Sequence, residues 1–358
     1  MATGRSFAEF VKDKCYNGLY QTAEEYVNEN WESMNLYTRN VHRVGYAEMI
    51  DATIERVYVR DLPGMRVAFE VGMQLEIDVK EGDYHYDESD QCYPWIRVYC
   101  EGNLACGLDD WEIIRVEPYS KKSAPPNSLS DALVPFIPYD QLDKVATEFL
   151  KDHYKDALKV TPYGQPPVMV DPLVLADSLG LTVKQQRIRE DASVFGQIYF
   201  VETEAEMFDA NEDKTVSMTI PEKTIVFDPQ MYLLRNLGSV NNTIVHECVH
   251  WVKHRKVFEL EKLYNAEASH ISCEVVGGAA SAVARSATEQ MEKQANQLTP
   301  RIQMPAEPFK VKAKEYIARF MRELNARHEN EVMEQVITAL ETAFGVSKQA
   351  AKIRLVEL

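Results

Sequence analysis

Apolar residues recur at helical spacing near the start of the chain: Phe7, Phe10 and Val11, then Tyr20, Ala23, Tyr26 and Val27. Residues 6 to about 50 are therefore expected to be helical. The period then falls to two. Segments 56–59, 66–69, 74–79, 95–99 and 111–116 alternate, with turn signals at Pro63-Gly64, Glu81-Gly82-Asp83 and Glu101-Gly102-Asn103. This predicts a small β-rich module. The run 120–128 is polar, rich in serine and proline and aperiodic, as a linker is.

Beyond the linker the pattern is mixed. Pro138 opens an expected helix with Leu142, Val145, Ala146, Phe149 and Leu150 on one face. Asp171-Pro172 supplies an N-cap and a first-turn proline, and Gly180 a stop. Segments 194–201 and 223–227 read as strands, and from about Asn241 onward nearly everything reads as helix. Strands segregated from helices predict an α+β fold rather than repeating βαβ units. The expected division is an N-terminal module over 1–119, a linker over 120–130 and a second domain over 131–358.

The chain has 358 residues, 45% of them hydrophobic, enough to bury a substantial core. It holds no apolar run of about 18 residues and no signal-like start, so a cytoplasmic protein without a membrane partner is expected. The formal net charge of −17 disfavours nucleic acid as a partner. Six cysteines are scattered without a C-x-x-C pair and are expected to be reduced, buried thiols. The spacings of Cys92, Cys100 and Cys106, with His85 nearby, are not those of a zinc knuckle or ribbon.

The candidate chemistry lies in His246-Glu247-Cys248-Val249-His250. Asn241, Asn242 and Thr243 suit a helix start. On that helix His246 and His250 stack one turn apart and can grip one zinc ion. Glu247 is rotated about 100° from His246, beside the metal, where it can serve as general base. The flanks Ile244, Val245, Val249, Trp251 and Val252 predict a buried helix, on which two histidines need partners. A catalytic zinc takes three protein ligands. The three-histidine form of the motif is excluded because position 256 is Lys256. His254, one turn further on, reads as a packing or supporting residue, and Cys248 as a small buried filler. Glu267, Glu274, Glu289 and Glu292 remain as acidic candidates for the third ligand, and spacing does not choose among them. Tyr199 and Arg301 are candidates for oxyanion stabilisation.

Residues 292–305, Glu-Lys-Gln-Ala-Asn-Gln-Leu-Thr-Pro-Arg-Ile-Gln-Met-Pro, resemble the E-x-x-A-N-x-(F/L)-A-x-x-(L/I)-x-M-P signature of ImmA/IrrE-type zinc metallopeptidases. Thr299 stands where many members have alanine. The segment Ser193-Val194-Phe195-Gly196-Gln197-Ile198 resembles the family's substrate-pairing edge strand, and 343–355 its C-terminal helices. The likeness covers about residues 131–358. It implies a zincin-like domain with zinc held by His246, His250 and Glu292, and an inserted helical hairpin over 256–288. It also implies proteolysis of an intracellular protein, characteristically a helix-turn-helix repressor, in a bacterial or phage setting. Two other possibilities stand beside it. One is a regulatory protein-binding module on the same scaffold with little or no proteolysis. The other is a DNA-touching helix-turn-helix at 344–354, with Lys348, Lys352 and Arg354 towards phosphate, although the net acidity and Glu357 on the same helix favour plain packing of the two helices.

Overall fold

The computed structural model describes residues 6–82, 89–119, 128–230, 237–264, 270–274 and 287–358, with the backbone alone at 237 and 270–274. The chain divides into two compact units, residues 1–136 with 259–265 and residues 137–258 with 266–358. Both mix helix with sheet, so the architecture is α+β.

In the first unit, helix α1 (Phe7–Asn30) starts where the Ser6 hydroxyl accepts from the Glu9 amide at 3.1 Å. It buries Phe7, Val11, Cys15, Leu19, Ala23 and Val27. A strict i+4 repeat advances about 40° per step, so the buried face winds along the helix. The sheet beside it is antiparallel: β1 (Val44–Asp61), β2 (Arg66–Glu81), β4 (Trp95–Asn103) and β5 (Glu112–Pro118) in that order, with β3 (Ser89–Cys92) on β2. The expected helix to residue 50 therefore stops twenty residues early. Residues 44–50 pair with β2 instead, because three bulges let β1 keep its apolar residues inward over eighteen residues. Segments 66–69 and 74–79 are one strand. The expected turn at Glu101-Gly102-Asn103 belongs to β4, and the reversal comes at Gly107, in the left-handed region. Cys15 and Cys100 are buried as expected, but Cys106 is exposed.

In the second unit, the sheet order is β11 (His270–Glu274), β7, β10 and β6. Strand β10 (Thr224–Phe227) runs parallel to β6 (Thr182–Gln185) and antiparallel to β7 (Val194–Tyr199). A separate hairpin joins β8 (Thr203–Asp209) to β9 (Lys214–Ile220). Helix α2 (Leu142–His153) and helix α3 (Pro172–Ser178) form as the sequence predicts. Asp171 Oδ1 accepts from the Leu173 and Val174 amides, and Gly180 adopts φ +68°. Helices α4 (Leu237–Lys253), α5 (Arg255–Tyr264), whose residues from Glu259 onward belong to the first unit, and α6 (Ala287–Gln303) follow. A shared core joins Leu150 and Leu175 to Ile198, Ile225, Ile244, Val245, Val249, Leu298 and Ile302. Helix α4 begins one turn earlier than Asn241.

Two expectations change here. The segment 256–288 is not a helical hairpin: after α5, residues His270–Glu274 form β11, antiparallel to β7. Consequently β7 is not an edge, because β10 pairs along one side of it and β11 along the other. The expected linker falls largely on 120–127, outside the described residues, as do His85 and Glu267.

Helices α7 (Ala306–Glu323), α8 (Met333–Phe344) and α9 (Lys348–Glu357) close the chain around Phe309, Val336, Leu340 and Phe344. Gly345 ends α8 with φ +64°, and the Ser347 hydroxyl caps α9 by accepting from the Ala350 amide. Arg354 is buried, bonded to Asp143 and to the Met304 carbonyl, and Lys348 pairs with Glu334 at 2.7 Å. Of the three basic residues that could touch phosphate, Arg354 is thus built into the fold and Lys348 holds a surface ion pair. Among the described residues no helix is long and apolar enough to cross a membrane.

Thr299 is fully buried on α6, and its hydroxyl has no hydrogen-bond partner among the described residues. Thr299→Val keeps the volume and removes the unmet hydroxyl. It is expected to raise stability by about 1 kcal/mol, read from the denaturation midpoint at unchanged slope.

Candidate metal centre

Helix α4 is buried on two opposed stripes. Ile244, Val245, Cys248 and Val249 enter the apolar core. Thr243, His246, Glu247 and His250 fall at i, i+3, i+4 and i+7, so they form a second stripe that is polar yet equally buried. Such a stripe is stable only if its polar groups find one another or a ligand.

Helix α6 meets that stripe. Its buried residues Met291, Ala295, Leu298 and Ile302 recur at helical spacing, and Glu292 sits at the margin of this face, 15% exposed in its side chain. Glu292 Oε2 lies 3.2 Å from His246 Nε2, Glu292 Oε1 lies 3.2 Å from His250 Nε2, and the two Nε2 atoms are 3.0 Å apart. Two ring nitrogens and one carboxylate thus converge, with one ligand atom from each residue within 4.8 Å of the others, and the group could hold a metal ion.

The protonation states agree with that. Burial pushes the Glu292 carboxyl up, but the His246 and His250 rings, each 3.2 Å from one of its oxygens, outweigh it and hold the group at about 2. Burial pushes His250 down against the pull of Glu292. An ionised carboxylate and a neutral imidazole are the forms that donate lone pairs to a cation.

Glu247 stands beside this group with no exposed surface, and neither carboxylate oxygen has a hydrogen-bond partner among the described residues. Burial, and then the charge of Glu292, raise its pKa well above the ordinary carboxyl value. The Cys248 thiol, on the apolar stripe, is also pushed up by burial and stays protonated.

Strand β7 passes over the polar stripe at Gly196. A Cβ there would lie 2.5 Å from Thr243 Cγ2 and 2.9 Å from Glu247 Oε1. Only a residue without a side chain admits this approach, which is a common meaning of glycine inside a strand. Gly196→Ala is expected to destabilise the protein by about 1–3 kcal/mol through overpacking and to lower metal occupancy. Chemical denaturation and metal analysis of the purified variant check both.

The other sequence candidates lie elsewhere. Glu289 is exposed, Glu267 falls outside the described residues, and Glu274 is described only as backbone of β11. The Tyr199 hydroxyl donates to Gln197 Oε1 at 2.7 Å. The Arg301 guanidinium donates to the Gln297 carbonyl and pairs with Glu357 at 3.1 Å. Both groups thus have partners other than the three donor side chains. His254, fully buried, continues the polar stripe: its Nδ1 lies 3.0 Å from His250 Nδ1, and its Nε2 lies 3.0 Å from Gln294 Oε1. Among known proteins, no family model and no curated sequence matches this chain.

Proposed function

We propose that the chain is a zinc-dependent endopeptidase, with His246, His250 and Glu292 as metal ligands and Glu247 as general base. The observation that carries this is the fully buried, unpartnered Glu247 carboxylate beside three converging donors. A structural zinc site closes with a fourth ligand. Here the described grouping holds only two histidines and one glutamate, the composition of a site with an open position. Zinc also suits the spacing. Tetrahedral bonds of about 2.0–2.2 Å put donor atoms about 3.3–3.6 Å apart; here the two Nε2 atoms are 3.0 Å apart, each lies 3.2 Å from one Glu292 oxygen, and one ligand atom from each residue lies within 4.8 Å of the others.

A zinc ion bound there would polarise the scissile carbonyl and activate water near neutral pH. Glu247 takes the proton released as the water oxygen bonds to the carbonyl carbon. It delivers that proton to the amide nitrogen as the C–N bond breaks, leaving a carboxylate and an amine. The raised pKa of the buried carboxyl favours the protonated form that delivers the proton. The ImmA/IrrE signature resemblance at 292–305 supports the same ligand set and a zincin-like second unit. Its implied substrate is an intracellular protein, with helix-turn-helix repressors the first class to test.

New N-termini mapped across cells expressing wild type or Glu247→Gln test the proposal. Cleavages that need Glu247, and that purified protein reproduces until a chelator is added, are expected. No such cleavage by a zinc-loaded protein would sink it. One observation favours a second reading, a regulatory binding module: both sides of β7, the strand that the resemblance gives to substrate, are already paired, with β10 and with β11. A substrate strand can pair with β7 only in place of one of them. In this second reading a co-expressed repressor is bound intact, with or without chelator.

A further inference from the structure

The buried stripe of α4 does not end at the ligands. The His254 amide donates to the His250 carbonyl at 2.9 Å, so the backbone stays helical one residue past α4 and places His254 one turn beyond His250. The two Nδ1 atoms face each other at 3.0 Å, and His254 Nε2 faces Gln294 Oε1 on α6 at 3.0 Å. His254 has no exposed surface, and Gln294 is 6% exposed.

Only certain proton placements satisfy this chain. A neutral imidazole carries one proton. His250 points Nε2 at the donor cluster, so a metal there requires its proton on Nδ1. That N–H then donates to His254 Nδ1, which must carry a lone pair. The His254 proton is therefore on Nε2, and it donates to the Gln294 carbonyl oxygen. Each assignment follows from the one before it, and the chain ends on a group that accepts without bringing a charge. The opposite arrangement would set His254 Nε2, as an acceptor, against Gln294 Oε1 and would need the amide turned to present its NH2 instead.

We infer that His254 and Gln294 are positioning residues for the metal ligand His250: they select the tautomer that keeps its Nε2 lone pair aimed at the cation. This rests on the ligand assignment made above. Partners of this kind, which hold the second ring nitrogen of a ligating histidine, typically change metal affinity about 10- to 100-fold when removed.

The experiment is zinc competition against a chromophoric chelator, with the histidine ring nitrogens read by ¹⁵N NMR in the zinc-loaded full chain. The wild type is expected to show His254 as the Nε2–H tautomer. His254→Phe keeps a ring of similar size but no acceptor, and should bind zinc about 10- to 100-fold more weakly. His254→Gln, whose carbonyl can accept from His250, should recover much of that loss. Gln294→Leu supplies a second route should the phenylalanine variant not fold, and it too should weaken zinc binding. A His254 carrying its proton on Nδ1, or folded variants that bind zinc as tightly as wild type, would overturn the inference and leave the ligand assignment standing. A wild type with no affinity for zinc overturns both.

Discussion

Glu247→Gln is expected to lower peptide hydrolysis by about 10²–10⁴-fold, the usual contribution of a positioned general base, while zinc content stays at the wild-type level. The two effects separate because Glu247 is not among the three converging donors. The same substitution has a second consequence in the metal-free protein. Glu247 has a folded pKa raised by burial, so at pH values between the unfolded and folded values the unfolded chain has released a proton that the folded one retains. Its contribution to stability is therefore fully present below the unfolded value and is lost as pH rises towards the folded one. Across that window the loss is about 1.4 kcal/mol per pH unit. Glutamine does not titrate, so the variant should lack this slope. Denaturation of metal-free wild type and variant at pH 5, 6 and 7 measures it. Parallel curves would show that the carboxyl is better solvated than its burial indicates.

The centre was legible in the sequence to different depths. His246, Glu247 and His250 stand on one helix, and helical spacing alone brings them to one face. Glu292 is 42 residues beyond His250, and local periodicity carries no information about which helix returns to face α4. Only the resemblance of 292–305 to a known signature separated it from Glu267, Glu274 and Glu289. His254 was visible as the next member of the i+4 series, but its role depends on Gln294, which no spacing rule connects to it. Gly196 carried a usable signal, a glycine within an apolar strand, yet the neighbour it makes room for is set by tertiary packing. The strand β11 was missed for a related reason. Five residues between helical stretches hold too short a pattern to outweigh their surroundings, and their conformation comes from pairing with β7. In the first unit the same competition ended the predicted helix at Asn30 and gave residues 44–50 to the sheet.

Removing the metal should have the largest effect on stability. A ligand that binds only the folded state adds about 4 kcal/mol at a thousand times its Kd, so chelation should lower the unfolding transition of the zinc-loaded chain by several degrees. Glu292→Ala should abolish this response, because two imidazoles alone leave the tetrahedral set one ligand short. The variant and the chelated wild type are not equivalent in acid, and the difference isolates the carboxylate. Glu292 has a folded pKa depressed to about 2 by the two histidines. Its stabilising contribution is present above the unfolded carboxyl value and disappears as pH falls from there towards 2. Metal-free wild type should therefore lose stability more steeply than Glu292→Ala between pH 4 and pH 2. Zinc-loaded wild type should fail at higher pH, where protons begin to compete for His246 and His250. Scanning calorimetry of the three samples over pH 2–8 gives both results. A chelator-insensitive transition in wild type would remove the metal from the account, whereas a chelator-sensitive transition in Glu292→Ala would move the third ligand to another residue.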